Sequence, residues 1–296
     1  MIQFPHKEKL LAAIDNRKAA GDIDILREAY HAYEQWIQQM TSLRSTGDEF
    51  LSDLVRLLNE YKNYLEVDLI AGRGSDFIKR QKGQLKLDNS VIEEFLPYLV
   101  SPKLLDNLPT NYELETGSQT SFMSLSFCPS SIRTLDKPQV TIKEKNQDFT
   151  IGKSVFYKFS TDQSFSANNT IDGKLFLAVL AAECKVNYDK TMFQECAGTA
   201  ARLKQGCPIS KYYALVEYLD MQPEDTRLTS IDNVFLLRKC KRLPYEKRSV
   251  YEEVRAQHIN NPISFDVMKL FVKEMQNFIN ATWYDPEAAL ARGAFV

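Results

Sequence analysis

Apolar positions along this chain follow two different periods, and the change falls near its first third. Up to about residue 105 the spacing is three and four. Residues 7–18, 23–40 and 47–65 each carry an apolar stripe, such as Leu51, Leu54, Val55 and Leu58, which predicts amphipathic helices. A fourth helix is predicted through VIEEFLPYLV, with Asp88 and Ser90 as N-caps. From about Ser121 the pattern becomes β-rich. SFMSLSF, QVTIKEK, DFTIGKSVFYKFS, LFLAVLAAECKV, YYALVEYL and NVFLLRKC read as strands separated by polar breaks. One helix interrupts them at residues 189–205, stopping near Gly206 and Pro208, and an amphipathic helix at 264–283 follows. The expected organisation is a helical region over 1–105 and an α/β (α+β) domain over 106–296. There is no internal repeat.

The stretch at 175–185, LFLAVLAAECK, combines eight apolar residues with two charges, Glu183 and Lys185, at its end. It is too short to span a bilayer and reads as a strand buried on both faces. Residues two apart in a strand face the same way, so Glu183 and Lys185 share a face and Cys184 points oppositely. Removing an unpartnered carboxylate or ammonium from water costs several kcal/mol. A divalent metal and a phosphate would supply partners; an ordinary ion pair at a strand end is the plainer alternative.

A phosphodiester-cleaving metal site needs a second carboxylate, and Asp148 and Asp172 precede Glu183. Asp172 lies eleven residues upstream on the same strand, about 35 Å away at roughly 3.3 Å per residue. Asp148 is nearer if the strand at 149–159 turns through TDQSFSANNT and returns as 175–185. With that turn centred near Ser166, Asp148 comes beside the Glu183–Lys185 end. Asp148 is therefore the expected third member and Asp172 a loop residue. Two carboxylates suit Mg²⁺, which prefers oxygen and keeps waters for a phosphate to replace. Lys185 would orient or deprotonate the attacking water, or hold the phosphate. On the following helix Thr191, Glu195, Thr199 and Arg202 share a face. Glu195 is a further metal or water ligand, or else a surface partner of Lys190 or Arg202.

Bulk composition narrows the class without naming it. The chain has 296 residues, a net charge of −2 and 26% charged residues, ordinary for a soluble protein, so any nucleic-acid surface must be local. No signal peptide or membrane-spanning stretch stands out. The five cysteines (128, 184, 196, 207, 240) contain no CxxC pair, as in reduced thiols of a cytoplasmic protein. The sequons at Asn168 and Asn280 then carry no glycosylation meaning. His6, His31 and His258 lack ligand spacing, and Trp36 and Trp283 sit on predicted helices.

With these residues in view, AAECKVNYDKTMFQECAGTAARLKQ resembles the E-x-K strand and following helix of type II restriction endonucleases in the PD-(D/E)xK superfamily. More closely, it resembles subunits of heterodimeric enzymes that cut short asymmetric sites of the CCTNAGC kind. SLSFCPSSIRTL, DFTIGKS, ALVEYLDM, NVFLLRK and WYDPEAALARG add matches in the same order, covering most of residues 90–296. The resemblance implies a mixed central sheet flanked by helices, with Mg²⁺-dependent hydrolysis of double-stranded DNA to 5′-phosphate ends. Asp148, Glu183, Lys185 and Glu195 would be catalytic, with Asp148, Glu183 and Cys184 at the metal. Gln147 stands where the superfamily often has proline. One site cuts one strand, so a second subunit is expected, identical or related.

Phosphate contacts should come from local Lys and Arg. The densest run, RKCKRLPYEKR, holds six basic residues in eleven. Arg238, Lys239, Lys241, Arg242 and Lys153 are the expected DNA contacts, with Lys143, Lys145 and Lys158 near the cleft. Residues 71–86, AGRGSDFIKRQKGQLK, form a basic connector or a DNA-backbone loop. Arg73, Arg80, Arg133, Asn146 and Gln147 could read bases. A structure-selective repair nuclease and a non-catalytic DNA-binding subunit are the alternatives.

Overall fold

The computed structural model describes residues 4–16, 21–74, 78, 87–109, 114–135, 137–248, 250–281 and 285–293, without the side chains of 88 and 89. Most of the 71–86 connector, with Arg80, and Trp283 therefore lie outside the described residues. Among the described residues four helices come first: α1 (Pro5–Ile14), α2 (Ile23–Ser42), α3 (Gly47–Asn63) and α4 (Leu87–Phe95). α3 continues as a π-helical segment, Tyr64–Ala71. The stripe predicted for α3 is buried, with Leu51, Leu54, Val55 and Leu58 at most 4% exposed. α4 starts at Leu87, so Ser90 lies inside it and does not cap it; its hydroxyl bonds His6 instead.

Five strands form one mixed sheet in the order β1 (Glu115–Phe127), β2 (Val140–Ser160), β3 (Thr170–Tyr188), β4 (Lys211–Leu219) and β5 (Asn233–Lys241). β1, β2 and β3 are successive antiparallel neighbours; β3, β4 and β5 run parallel. A parallel return requires a crossover, supplied by α5 (Lys190–Gly206). Asp189 caps α5 by accepting the Met192 N–H at 2.9 Å. At its other end a Cβ on Gly206 would sit 2.5 Å from the Met123 carbonyl, so glycine permits the close approach to β1. QVTIKEK and DFTIGKSVFYKFS form one 21-residue strand, not two.

Three helices finish the chain: α6 (Tyr251–Asn260), α7 (Phe265–Asn280) and α8 (Pro286–Arg292). The periodicity did not foretell α6, in which only Val254 and His258 are buried. The sheet divides two cores. Phe149, Ile151, Leu180, Ala182 and Cys184 face α1–α4 and α7; Phe176, Ala178, Ala181 and Ala214 face α5. The first core thus joins the N-terminal helices and the sheet in one cluster. Among the described residues no helix is long and apolar enough to cross a membrane.

Candidate active site

The site begins with a fault in the β2–β3 ladder. From Ser160↔Thr170 to Gly152↔Ala178 the pairing is regular, with its reversal centred on Phe165. Between Ile151 and Gly152 the register shifts, and the ladder resumes as Ile151↔Leu180 and ends at Phe149↔Ala182. A bulge of one residue flips the facing of everything beyond it. Ala178 accordingly lies in the α5 core while Leu180 and Ala182 lie in the opposite one. Gly152 allows this, because a Cβ there would fall 2.2 Å from the Leu177 carbonyl oxygen. Continued one step, the shifted register sets Asp148 opposite Glu183, both facing α5.

There the two strands separate, and the Asp148 side chain spans the gap. Its Oδ2 accepts the Cys184 backbone N–H at 2.8 Å, in place of a β2 carbonyl. On β3, Glu183 Oε1 lies 2.6 Å from Lys185 Nζ, with 12% and 21% of the two side chains exposed. Tyr212, at the start of β4, donates its hydroxyl to Glu183 Oε2 at 2.6 Å. The Cys196 thiol of α5 donates to the same oxygen at 3.5 Å. Lys145 on β2 donates to the Thr199 hydroxyl of α5 and adds positive potential at Glu183.

Burial pushes the Asp148 carboxyl above its ordinary pKa; the Cys184 N–H and Lys185 oppose this, and the Glu183 charge adds to it. Burial pushes Glu183 the same way, but Lys185, the Tyr212 hydroxyl and Lys145 together outweigh it and hold that carboxylate low. Burial would lower Lys185, yet Glu183 and Asp148 keep its ammonium above the usual lysine value. The arrangement is therefore a paired Glu183–Lys185 beside a second buried carboxyl in surplus negative potential.

That surplus fits a divalent cation. Among the described residues no group of three or more His, Cys, Asp or Glu side chains could hold a metal. The site instead offers two carboxylates and one main-chain oxygen. A strand residue sends its N–H and C=O to the same edge, so the Cys184 carbonyl points toward the Asp148 gap. Oxygen donors in so small a number suit Mg²⁺, which retains waters. Cys184 would serve a metal through this main-chain oxygen, since its thiol is 2% exposed in the opposite core and burial raises the thiol pKa well above the ordinary value.

Other expected residues are placed differently. Asp172 pairs with Lys158 near the hairpin tip, far from Glu183. Glu195 is exposed on α5; among the described residues the helix reaches Glu183 through Cys196. Arg238 is corrected as a DNA contact: its side chain is 0% exposed and its Nε lies 2.9 Å from Glu217. Lys239, Lys241 and Lys153 are exposed and Arg242 is half-buried. Lys239 stands 3.6 Å from Asp266; Lys153 is five residues along β2 from Asp148, about 16 Å. Of the base-reading candidates, Arg73 is paired with Glu28 at 2.8 Å and Gln147 is 2% exposed. Tyr212 and Cys196 had no sequence signal, since only the crossover brings them to Glu183. A groove of about 550 Å³ beside the site is lined by Met123, Lys143, Lys145, Thr199, Arg202 and Gln205 among others.

Comparison with known proteins points the same way. The family model described as Bpu10I restriction endonuclease matches residues 84–295. A solved structure described as the native BbvCI A2B2 tetramer at low resolution shares the fold. Its TM-score is 0.63 at 17% identity, over 95% of this chain and 98% of that one. No curated protein matches the chain.

Proposed function

The chain belongs to the Bpu10I restriction endonuclease family, and from that premise we propose that it is a type II restriction-enzyme subunit hydrolysing one strand of double-stranded DNA per active site with Mg²⁺. The observation that carries the reading is the Asp148 carboxylate bridging to the Cys184 amide where β2 and β3 part, beside the Glu183–Lys185 pair. Asp148, Glu183 and the Cys184 carbonyl hold the cation. When bound, the cation acidifies a water and stabilises charge on the attacked phosphate.

The chain's own groups do the rest. Lys185, whose ammonium Glu183 and Asp148 favour, would orient the attacking water or hold a phosphate oxygen. Tyr212 and Cys196 hold Glu183 Oε2, while Oε1 pairs with Lys185. Water oxygen bonds to phosphorus, the P–O3′ bond breaks, and a proton ends on the departing 3′ oxygen, giving a 5′-phosphate. Lys143, Lys145 and Arg202, along the groove between β1–β2 and α5, track the DNA backbone. Lys153, Lys239, Lys241 and Arg242 are outer contacts.

The second strand needs a second site. The similar BbvCI structure is an A2B2 tetramer, and by analogy this chain works with a related, non-identical partner. The test is plasmid cleavage with Mg²⁺, for this chain alone and with a homologous partner subunit. Asp148→Ala and Glu183→Ala are expected to lose cleavage of one strand, while Asp172→Ala keeps it. Loss through Asp172, or retention in Asp148→Ala, overturns the assignment.

A further inference from the structure

α5 makes one wall of the groove beside the site, and its buried face ties that wall to the cleavage residues. Cys196 donates to Glu183 Oε2 at 3.5 Å. Thr199 lies three residues on, about 4.5 Å along the helix axis and on the same face. It is 2% exposed, alongside Cys196, Ala200 and Leu203, which are fully buried. Its hydroxyl accepts Lys145 Nζ across the contact between α5 and β2 and donates to the Glu195 carbonyl at 2.9 Å, a bond within α5. Lys145 is half-buried on β2, three residues before Asp148. Its Nζ is thus held about one turn of α5 from the point where Cys196 meets Glu183. Lys143 and Arg202 line the same groove but are exposed. An ammonium has three donors; Thr199 takes one, which leaves donors for an anion in the groove.

We propose that Lys145 holds the backbone phosphate next to the one being cut, and that Thr199 is the positioning residue that keeps its ammonium there. The inference rests on the reading of this site as one that cleaves DNA. The phosphate under attack belongs beside Asp148 and Glu183, and Lys145 stands a helical turn away, in reach of its neighbour. Lysine is a charge on a flexible stem. Fixing that stem before DNA arrives removes the ordering cost that Lys143 and Arg202 incur on binding.

The experiment is equilibrium binding of plasmid fragments to the full chain with a homologous partner subunit, without divalent metal, at several salt concentrations. Thermal melting checks folding. Lys145→Met is expected to raise Kd about 10- to 100-fold and to lower the salt slope by about one. Thr199→Val keeps the charge, so it should raise Kd about three- to tenfold at the wild-type slope, while Thr199→Ser keeps wild-type binding. With Lys145→Met already in place, Thr199→Val should change Kd by less than about twofold, since its lost bond within α5 reads in melting and not in DNA binding. A Thr199→Val loss of equal size with and without Lys145 would mean that α5 is deformed, and overturns the positioning role. An unchanged salt slope in folded Lys145→Met overturns the phosphate contact. Binding with the expected shifts but no cleavage with Mg²⁺ counts against the nuclease reading alone, whereas wild type that binds no fragment overturns both.

Discussion

Two clusters of charge lie inside this protein, and they are built on different terms. In the first, Lys62 Nζ lies 2.7 Å from Glu66 and 2.5 Å from Glu217, and Arg238 lies 2.9 Å from Glu217. Those four side chains are at most 1% exposed. Two cations face two carboxylates, with the Arg238 guanidinium 5.5 Å from the Tyr218 ring centroid. In the second, Asp148 and Glu183 share one nearby partner, Lys185, with Glu183 and Lys185 at 12% and 21% exposure. The first cluster is closed and balanced; the second is ajar and carries surplus negative charge. Burial of charge alone marks neither as functional. An unpaired remainder that solvent can still reach is what marks a place for a cation and a phosphate.

The sharpest way to break that contrast is to neutralise one group in each cluster. Glu183→Gln keeps the shape of the open site and removes its charge. Strand cleavage should fall on the order of 10⁴-fold, as when one member of a concerted set is lost, while the melting temperature changes little. The assay is single-turnover cleavage with saturating Mg²⁺. A variant that melts early but still cuts would make Glu183 structural and erase the distinction.

In the closed cluster the expected loss is stability. Glu217→Ala leaves Lys62 and Arg238 partly uncompensated in the interior, which costs about 3–5 kcal/mol. Urea unfolding should show it as a lower midpoint with unchanged slope. An unaltered midpoint would mean that water reaches Arg238 in solution and that the cluster is not closed.

The same contrast explains what the sequence made legible. Asp148 could be found because a polar turn between two β-rich runs allows only one antiparallel return, and the actual reversal centres on Phe165, one residue from Ser166. The bulge that aims Asp148 is marked by Gly152, but a strand glycine does not say which way the register will slip. Arg238 was misplaced for a related reason. A basic run reads as surface, yet the five β5 residues from Leu236 to Cys240 span only the three from Val216 to Tyr218 of β4, and Lys239 has φ of 52°. That irregularity turns Arg238 inward and leaves Lys239 outside. The helix periods gave α1–α4 with small boundary errors, because each stripe is a local property. Tyr212 and Cys196 reach Glu183 through the crossover, which no local pattern encodes.

A gentler change sharpens the open site. Tyr212→Phe removes the hydroxyl that holds Glu183 Oε2 at 2.6 Å and leaves the ring in place. Partners of metal ligands typically contribute 10–100-fold in affinity or activity, so the Mg²⁺ concentration for half-maximal cleavage should rise by about 10-fold or more. The rate at saturating Mg²⁺ should fall less. If the rate falls with no change in Mg²⁺ dependence, Tyr212 acts on the substrate and not on Glu183.

The smallest effect belongs to the proton balance of the closed cluster. His258 Nε2 lies 3.5 Å from Glu66 and its Nδ1 is 2.8 Å from the Asn63 side-chain oxygen. Burial lowers its pKa despite the hydrogen bond to Glu66, with Arg238 adding to the drop and Glu217 opposing it. The balance of two cations and two carboxylates thus holds with a neutral ring. A pKa depressed in the folded state means the unfolded chain takes up the proton first as pH falls. The stability is therefore complete above the ordinary histidine value of about 6.5 and is lost progressively below it, toward the lower folded value. The slope approaches about 1.4 kcal/mol per pH unit for each such group. His6, buried and lowered to about 3, acts in the same direction, so wild type should show both contributions. His258→Gln should remove one of them, flattening the dependence of urea midpoint on pH between about 6.5 and 5 without steepening it anywhere. A steeper slope in the variant would mean that His258 is charged in the native protein, and that the closed cluster carries a third cation which its carboxylates accommodate.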